Sequence, residues 1–189
     1  METNALRPTT TDTAHKLSLA VALHERGELQ PAGELYLQIL EDEPDNFDAL
    51  HLLGVYALQI GDLQAAYDLL GRAIEISPGD ANAFMHMAVT LQRMGKLDSA
   101  LLAGAEALRL APDDVAALSN YASILADLKL PAEALPWLEK ALQLDPGHMD
   151  ALNNMAHALL ALQRPQEAQP YLERAQALRQ SAPGNGAAS

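Results

Sequence analysis

The groups on this 189-residue chain with chemistry to offer are few in kind. They are the histidines His15, His24, His51, His86, His148 and His157, 25 carboxylates set against 12 Lys and Arg, and a scatter of carboxamides and hydroxyls. None of the patterns that turn such groups into catalysts is present. There is no glycine loop to cradle a phosphate, no His-x-x-x-His or His-Glu-x-x-His pair, and no Gly-x-Ser-x-Gly elbow. The absence of cysteine excludes thiolate nucleophiles, thiolate metal sites and disulfides. A metal pair of His24 and His51 across adjacent helices is the nearest approach to a metal site, and two scattered histidines do not make one. The expectation is no metal, no cofactor and no enzymatic activity. What remains is hydrogen bonding: carboxylate, amide, imidazole and hydroxyl groups suited to recognising another chain.

The elements that must position these groups are written in a period of 34 residues. Pro44, Pro78, Pro112 and Pro146 keep that interval, as do Gly27, Gly61 and Gly95. So do Ala32, Ala66, Ala100, Ala134 and Ala168, and the series Ile39, Ala73, Ala107, Ala141 and Ala175. The chain divides into units 13–46, 47–80, 81–114, 115–148 and 149–182. Within a unit the apolar spacing is helical. Leu50, Leu53, Gly54 and Ala57 make one stripe, Gly61 breaks it, and Ala66, Leu70 and Ala73 make a second that runs to Pro78. Each unit is therefore a helix, a tight turn and an antiparallel helix. Lys129 and Gln163 replace the turn glycine in the last two units, with Pro131 and Pro165 in the first turn of the helix that follows. Ala20, Gly54, Ala88, Ala122 and Ala156 let paired helices approach closely. One hairpin hides too little apolar surface to fold alone, so stacking is obligatory and the fold class is all-α, a right-handed α-solenoid of five repeats.

Aromatics are 4% of the chain, in keeping with Leu- and Ala-rich helix packing rather than a strand-rich core. The net charge of −13 disfavours nucleic acid and anionic membrane surfaces as partners. No apolar run is long enough to span a bilayer, and the short stretch Leu17 to Leu23 reads as a helix face, so a cytoplasmic location is expected. The charge is lopsided: the five units carry −5, −4, −1, −2 and 0. The run Glu41, Asp42, Glu43 and Asp45 is either a solvated acidic helix end or an attraction for a basic partner segment.

With its 34-residue helix–turn–helix and these Leu, Gly/Ala, Ala and Pro positions, the chain resembles the tetratricopeptide repeat (TPR) family over 13–182. Segments 117–125 and 151–160, with Asn120 and Asn154 ahead of the core Tyr or Met, resemble bacterial TPR proteins and the TPR superhelix of O-linked N-acetylglucosamine transferases. The first unit departs most, with Lys16 where the others carry Leu50, Phe84, Leu118 and Leu152. The resemblance implies that first helices line a concave, peptide-binding groove. The stripe that would line it reads Asp48, His51, Val55 and Leu58, then Asn82, Met85, Val89 and Gln92. It continues as Ala116, Ser119, Ser123 and Ala126, and ends with Asp150, Asn153, His157 and Leu160. Arg93 is the one cation expected there. By resemblance Asn120 and Asn154 either hold a peptide backbone as a partial ladder, with Ser18, Leu52 and His86 at the matching positions, or are helix-surface residues bonded to the adjacent repeat or to water. The clamp that chaperone-tail-binding TPR domains use for carboxylates is not expected, because Leu17, Val21, Met85 and Val89 stand in its place. Trp137 reads as packing.

Both ends of the array read as finished. Gln166, Gln169, Glu173, Gln176 and Gln180 wet one face of the last helix, and His15 and Lys16 do the same for the first. Residues 1–12 are expected to form a flexible leader and 183–189 a disordered tail. Pro136 and Pro170, in the second turn of second helices, predict a bend or a late helix start. The function expected is a non-enzymatic interaction scaffold that binds a peptide segment of a partner protein. The alternatives are the substrate-recognition module of an enzyme system such as a protein glycosyltransferase, and a self-associating scaffold.

Overall fold

The computed structural model describes residues 10–181, which form ten α-helices and no strand. The expected leader and tail fall largely outside the described residues, and the first helix is already under way at Thr10. The chain divides into two compact units, one up to Met94 and one from Gly95 onward. The boundary falls inside the third expected repeat.

The first unit holds α1 (Thr10–Glu25), α2 (Leu29–Asp42), α3 (Phe47–Ile60), α4 (Leu63–Ile76) and α5 (Ala81–Arg93). Here α1 pairs with α2 and α3 with α4, while α2 packs on α3 and α4 on α5. Leu50, Leu70 and Tyr36 are wholly buried, as are the small residues Ala20 and Ala32. Gly54 shows how tight the seam is: a Cβ there would lie 2.8 Å from Cγ of Leu70. Gly33, which the period did not single out, is under similar pressure, with the Tyr56 ring 3.0 Å from where a Cβ would stand.

The second unit holds α6 (Leu97–Leu110), α7 (Val115–Asp127), α8 (Pro131–Leu144), α9 (Met149–Ala161) and α10 (Pro165–Ser181). Here α7 pairs with α8 and α9 with α10, while α6 packs on α7, α8 on α9 and α7 on α9. Leu118, Leu138 and Leu152 fill its interior with Ala134, Ala141, Ala156 and Ala168. The polar residues expected on α10, Gln166, Gln169, Glu173, Gln176 and Gln180, are all exposed.

Helix starts repeat with the same period. Asn46, Asp80, Asp114 and His148, spaced by 34 residues, each accept a hydrogen bond from the backbone N–H three residues on. Such a cap satisfies one of the orphan donors at a helix N-terminus. The late start expected from the internal prolines does not occur. The helices α8 and α10 begin at Pro131 and Pro165 and run unbroken through Pro136 and Pro170. Both prolines are exposed, and so are Ala132 and Gln166, whose carbonyls lose their helical donor. Exposure lets solvent reach these residues, which keeps the cost small enough for packing to outweigh it.

The turns after α1, α3, α7 and α9 share one hydrogen-bond pattern. After α7, the N–H of Lys129 bonds to the Ala126 carbonyl and that of Leu130 to the Leu125 carbonyl; after α9, Gln163 bonds to Leu160 and Arg164 to Leu159. This closure needs one left-handed residue. Glycine fills it at Gly27 (φ 79°) and Gly61 (φ 88°), but Lys129 (φ 66°) and Gln163 (φ 60°) are forced into the same conformation. A side chain there costs about 1–2 kcal/mol, partly offset by the extra chain entropy that glycine loses on folding. Lys129→Gly and Gln163→Gly are therefore each expected to stabilise the fold by roughly 0.5–1 kcal/mol. Denaturant melts of the two variants check this, and unchanged midpoints would mean the turn strain is negligible.

Candidate functional site

The residues singled out as groove lining lie on the first helices of successive hairpins. In the first unit these are α1, α3 and α5, and in the second α7 and α9. A residue on one such helix meets the residue 35 positions further along the chain. His24 Nε2 lies 2.9 Å from Gln59 Oε1, His51 Nε2 lies 2.9 Å from His86 Nδ1, and Asn154 Nδ2 donates to Ser119. Arg93 follows the same rule by donating to the Leu58 carbonyl. The offset exceeds the repeat by one residue.

The histidine pair is the most polarised feature of the first unit. His51 and His86 come from α3 and α5, with ring centroids 5.0 Å apart and planes at 48°. Phe47 stacks on His51 at 5.7 Å. Burial pushes the His86 imidazole down to about 4, and the neighbouring His51 adds to the effect; the Asn82 carbonyl and Asp80 oppose it. Burial also lowers His51, against the pull of Asp80 and Asp48. Both rings are thus held neutral, one donating to the other. The metal pair weighed for His24 and His51 does not form, because His24 turns to Gln59 and Tyr36 while His51 turns to His86. Among the described residues no three His, Asp or Glu side chains gather as a metal would require.

Other expected lining residues take varied places. Asp48 and Asn82 are exposed; Met85 and Gln92 are half-buried. Leu58 is nearly buried at 7% exposure, so it belongs to the packing and not to a surface. Arg93 is exposed and spends its guanidinium on the last turn of α3, where carbonyls lack helical donors and favour a cation.

In the second unit Ser119 is 1% exposed, against the expectation of a lining residue. Its Oγ and carbonyl accept from Asn154 Nδ2, at 3.1 and 3.3 Å. Of the two readings open for Asn154, a bond to the adjacent repeat is therefore made; it leaves the carboxamide oxygen for other work. Asn153 accepts from Arg179 at 3.1 Å. Asn120 and Ser123 are half-buried and His157 is exposed. Ser123, Asn154 and His157 share the wall of a pocket of about 440 Å³, with Asp127 and Lys129 also on its lining. Trp137 packs edge-on against Tyr121 at 5.0 Å. No helix among the described residues is long and apolar enough to cross a membrane.

The histidine pair makes stability depend on pH with a definite sign. An unfolded imidazole takes up a proton near pH 6.5, whereas folded His86 resists until about pH 4. The unfolded chain therefore binds more protons through that window, and stability falls as pH falls through it. Between pH 6.5 and 4 the wild type should lose on the order of 2 kcal/mol more than His86→Asn. Urea titrations at the two pH values measure the difference; equal losses would uncouple this imidazole from folding.

Known proteins agree with this architecture. Three family models, each described as tetratricopeptide repeat, match residues 35–68, 57–124 and 113–181. No curated protein matches the chain significantly in sequence. Among solved structures, a MamA protein superposes with a TM-score of 0.71 at 19% identity, covering 94% of this chain and 97% of that one. MamA from Desulfovibrio magneticus RS-1, from residue 41 to its end, gives a TM-score of 0.75 at 16% identity, covering 91% and 97%. YrrB, described as a TPR protein with an unusual peptide-binding site, gives 0.66 at 22% identity, covering 88% and 86%. With matching repeat models together running from residue 35 to 181 and helices throughout that stretch, the chain belongs to the tetratricopeptide repeat family.

Proposed function

We propose that this chain is a non-enzymatic protein-interaction scaffold, acting in the cytoplasm, whose first-helix face binds a peptide segment of a partner protein. The observation that carries the reading is the pocket on α7 and α9. Three of its polar members, Ser123, Asn154 and His157, sit at repeat positions that vary in type. The core positions beneath them, Leu118, Ala122, Leu152 and Ala156, keep the family pattern and are buried. A surface that varies above an interior that does not suits recognition. The exposed Asp48, Asn82 and His157, with the half-buried His51, Met85, His86, Gln92, Asn120, Ser123, Asn153 and Asn154, are the residues proposed to meet the segment. Arg93 steadies the face rather than contacting the ligand, and Ser119 orients Asn154.

A peptide backbone presents a donor and an acceptor at regular intervals, and such a row of amides and imidazoles can answer both. The charge of −13 steers basic segments toward the chain and raises their encounter rate at low salt. Presentation of a bound substrate to a separate catalytic subunit uses the same face and is an extension of this role.

Peptides selected by display on the immobilised chain test the proposal. Ala161 is exposed on the pocket wall, so Ala161→Trp fills the pocket without entering the core. It should weaken capture of selected peptides at least tenfold with the melting temperature unchanged. Asn120→Ala with Asn154→Ala should weaken it similarly, at a stability cost of about 1 kcal/mol for the lost bond to Ser119. Peptides that bind wild type and Ala161→Trp equally would move the site elsewhere.

A further inference from the structure

The pocket of the second unit carries more chemical detail than a general peptide groove requires. One wall is α7, from Ser123 through Ala126 to Asp127; the other is α9, from Asn154 to Ala161. The orientation of Asn154 is fixed by its partners. The Ser119 carbonyl can only accept, so the amide atom facing it must be Nδ2, at 3.3 Å. The Oδ1 atom is then the face of this carboxamide left for a ligand, and it is an acceptor. Asp127 adds a carboxylate, whose two oxygens have room for several donors at once. Ser123 adds a hydroxyl oxygen that accepts from a charged donor. The walls between these groups are the short side chains Ala126 and Ala161, which leave length for an aliphatic stem.

From this arrangement we infer that the pocket receives a cationic side chain of the bound segment, an arginine above all, its guanidinium donating to Asn154 Oδ1 and the Asp127 carboxylate while its methylenes lie along Ala126 and Ala161. A guanidinium carries five donors in a planar fork and no acceptor, which matches a set of oxygens on two walls of one pocket better than a single ammonium does. Lys129 is the one opposing charge. It stands exposed at the rim, two residues beyond Asp127, and works against any cation that enters. The inference rests on the proposed binding role of this face and gives it a residue-level preference.

Titration of the isotopically labelled chain with N-acetyl-arginine amide, followed by amide chemical shifts, tests it directly. Shifts should centre on Ser123, Asp127, Asn154 and His157. The neutral isostere N-acetyl-citrulline amide should bind at least fivefold more weakly. Asp127→Asn should weaken the arginine probe at least fivefold, and Lys129→Gly should tighten it. Equal binding of the citrulline probe, indifference to Asp127→Asn, or preference for N-acetyl-glutamate amide would each overturn the inference. So would a lack of shifts at tens of millimolar probe. The display experiment separates this from the broader reading. Selected peptides without a basic residue that still need the pocket would leave the scaffold role standing and remove the arginine preference. Arginine-probe binding without any captured peptide would do the reverse.

Discussion

Everything in this molecule depends on helices meeting at residues too small to hold them apart. Gly54 sits where one added carbon would run into Leu70, and Ala20, Ala122 and Ala156 occupy the same repeat position with almost no exposed surface. Close approach brings the leucines of each hairpin into contact with the next, and that contact is the only large source of apolar burial open to a 34-residue hairpin. Within each unit it also brings the first helices near enough for polar links between residues 35 apart.

Most of the fold was legible because it is written four or five times over. The Pro, Gly and Ala series located the hairpins, and the helices formed where those series predict. The capping series Asn46, Asp80, Asp114 and His148 keeps the same interval but went unread, because its residue types differ and only the structure shows each accepting a backbone hydrogen bond. Of the two outcomes expected of the internal prolines, the late start fails because sequence alone did not tell that Ala132 and Gln166 would be exposed. Pro136 and Pro170 are tolerated through exposure, a tertiary property.

The candidate site was legible only in outline. Helical spacing located the first-helix stripe, but it aligned equivalent residues at 34, whereas side chains meet at 35. That single step replaces Met85 by His86 as the residue that His51 meets. It also turns Ser119 from a surface hydroxyl into the buried support of Asn154. Charge and burial then divide the labour. The histidines keep a neutral, tightly desolvated contact in the first unit, whereas the pocket of the second retains ionisable groups at its edge.

The offset of the first-helix links has a consequence for how such a chain can change over generations. Because first-helix links recur at equivalent repeat positions, duplicating or deleting a whole 34-residue segment disturbs pairings only where the new junction falls. The His–His and Ser–Asn couples are alternative fillings of one slot. Exchange of one couple for another changes what the surface displays while leaving the apolar seam untouched. Length and specificity are thereby free to evolve on separate tracks, the first by copying segments and the second by substituting pairs.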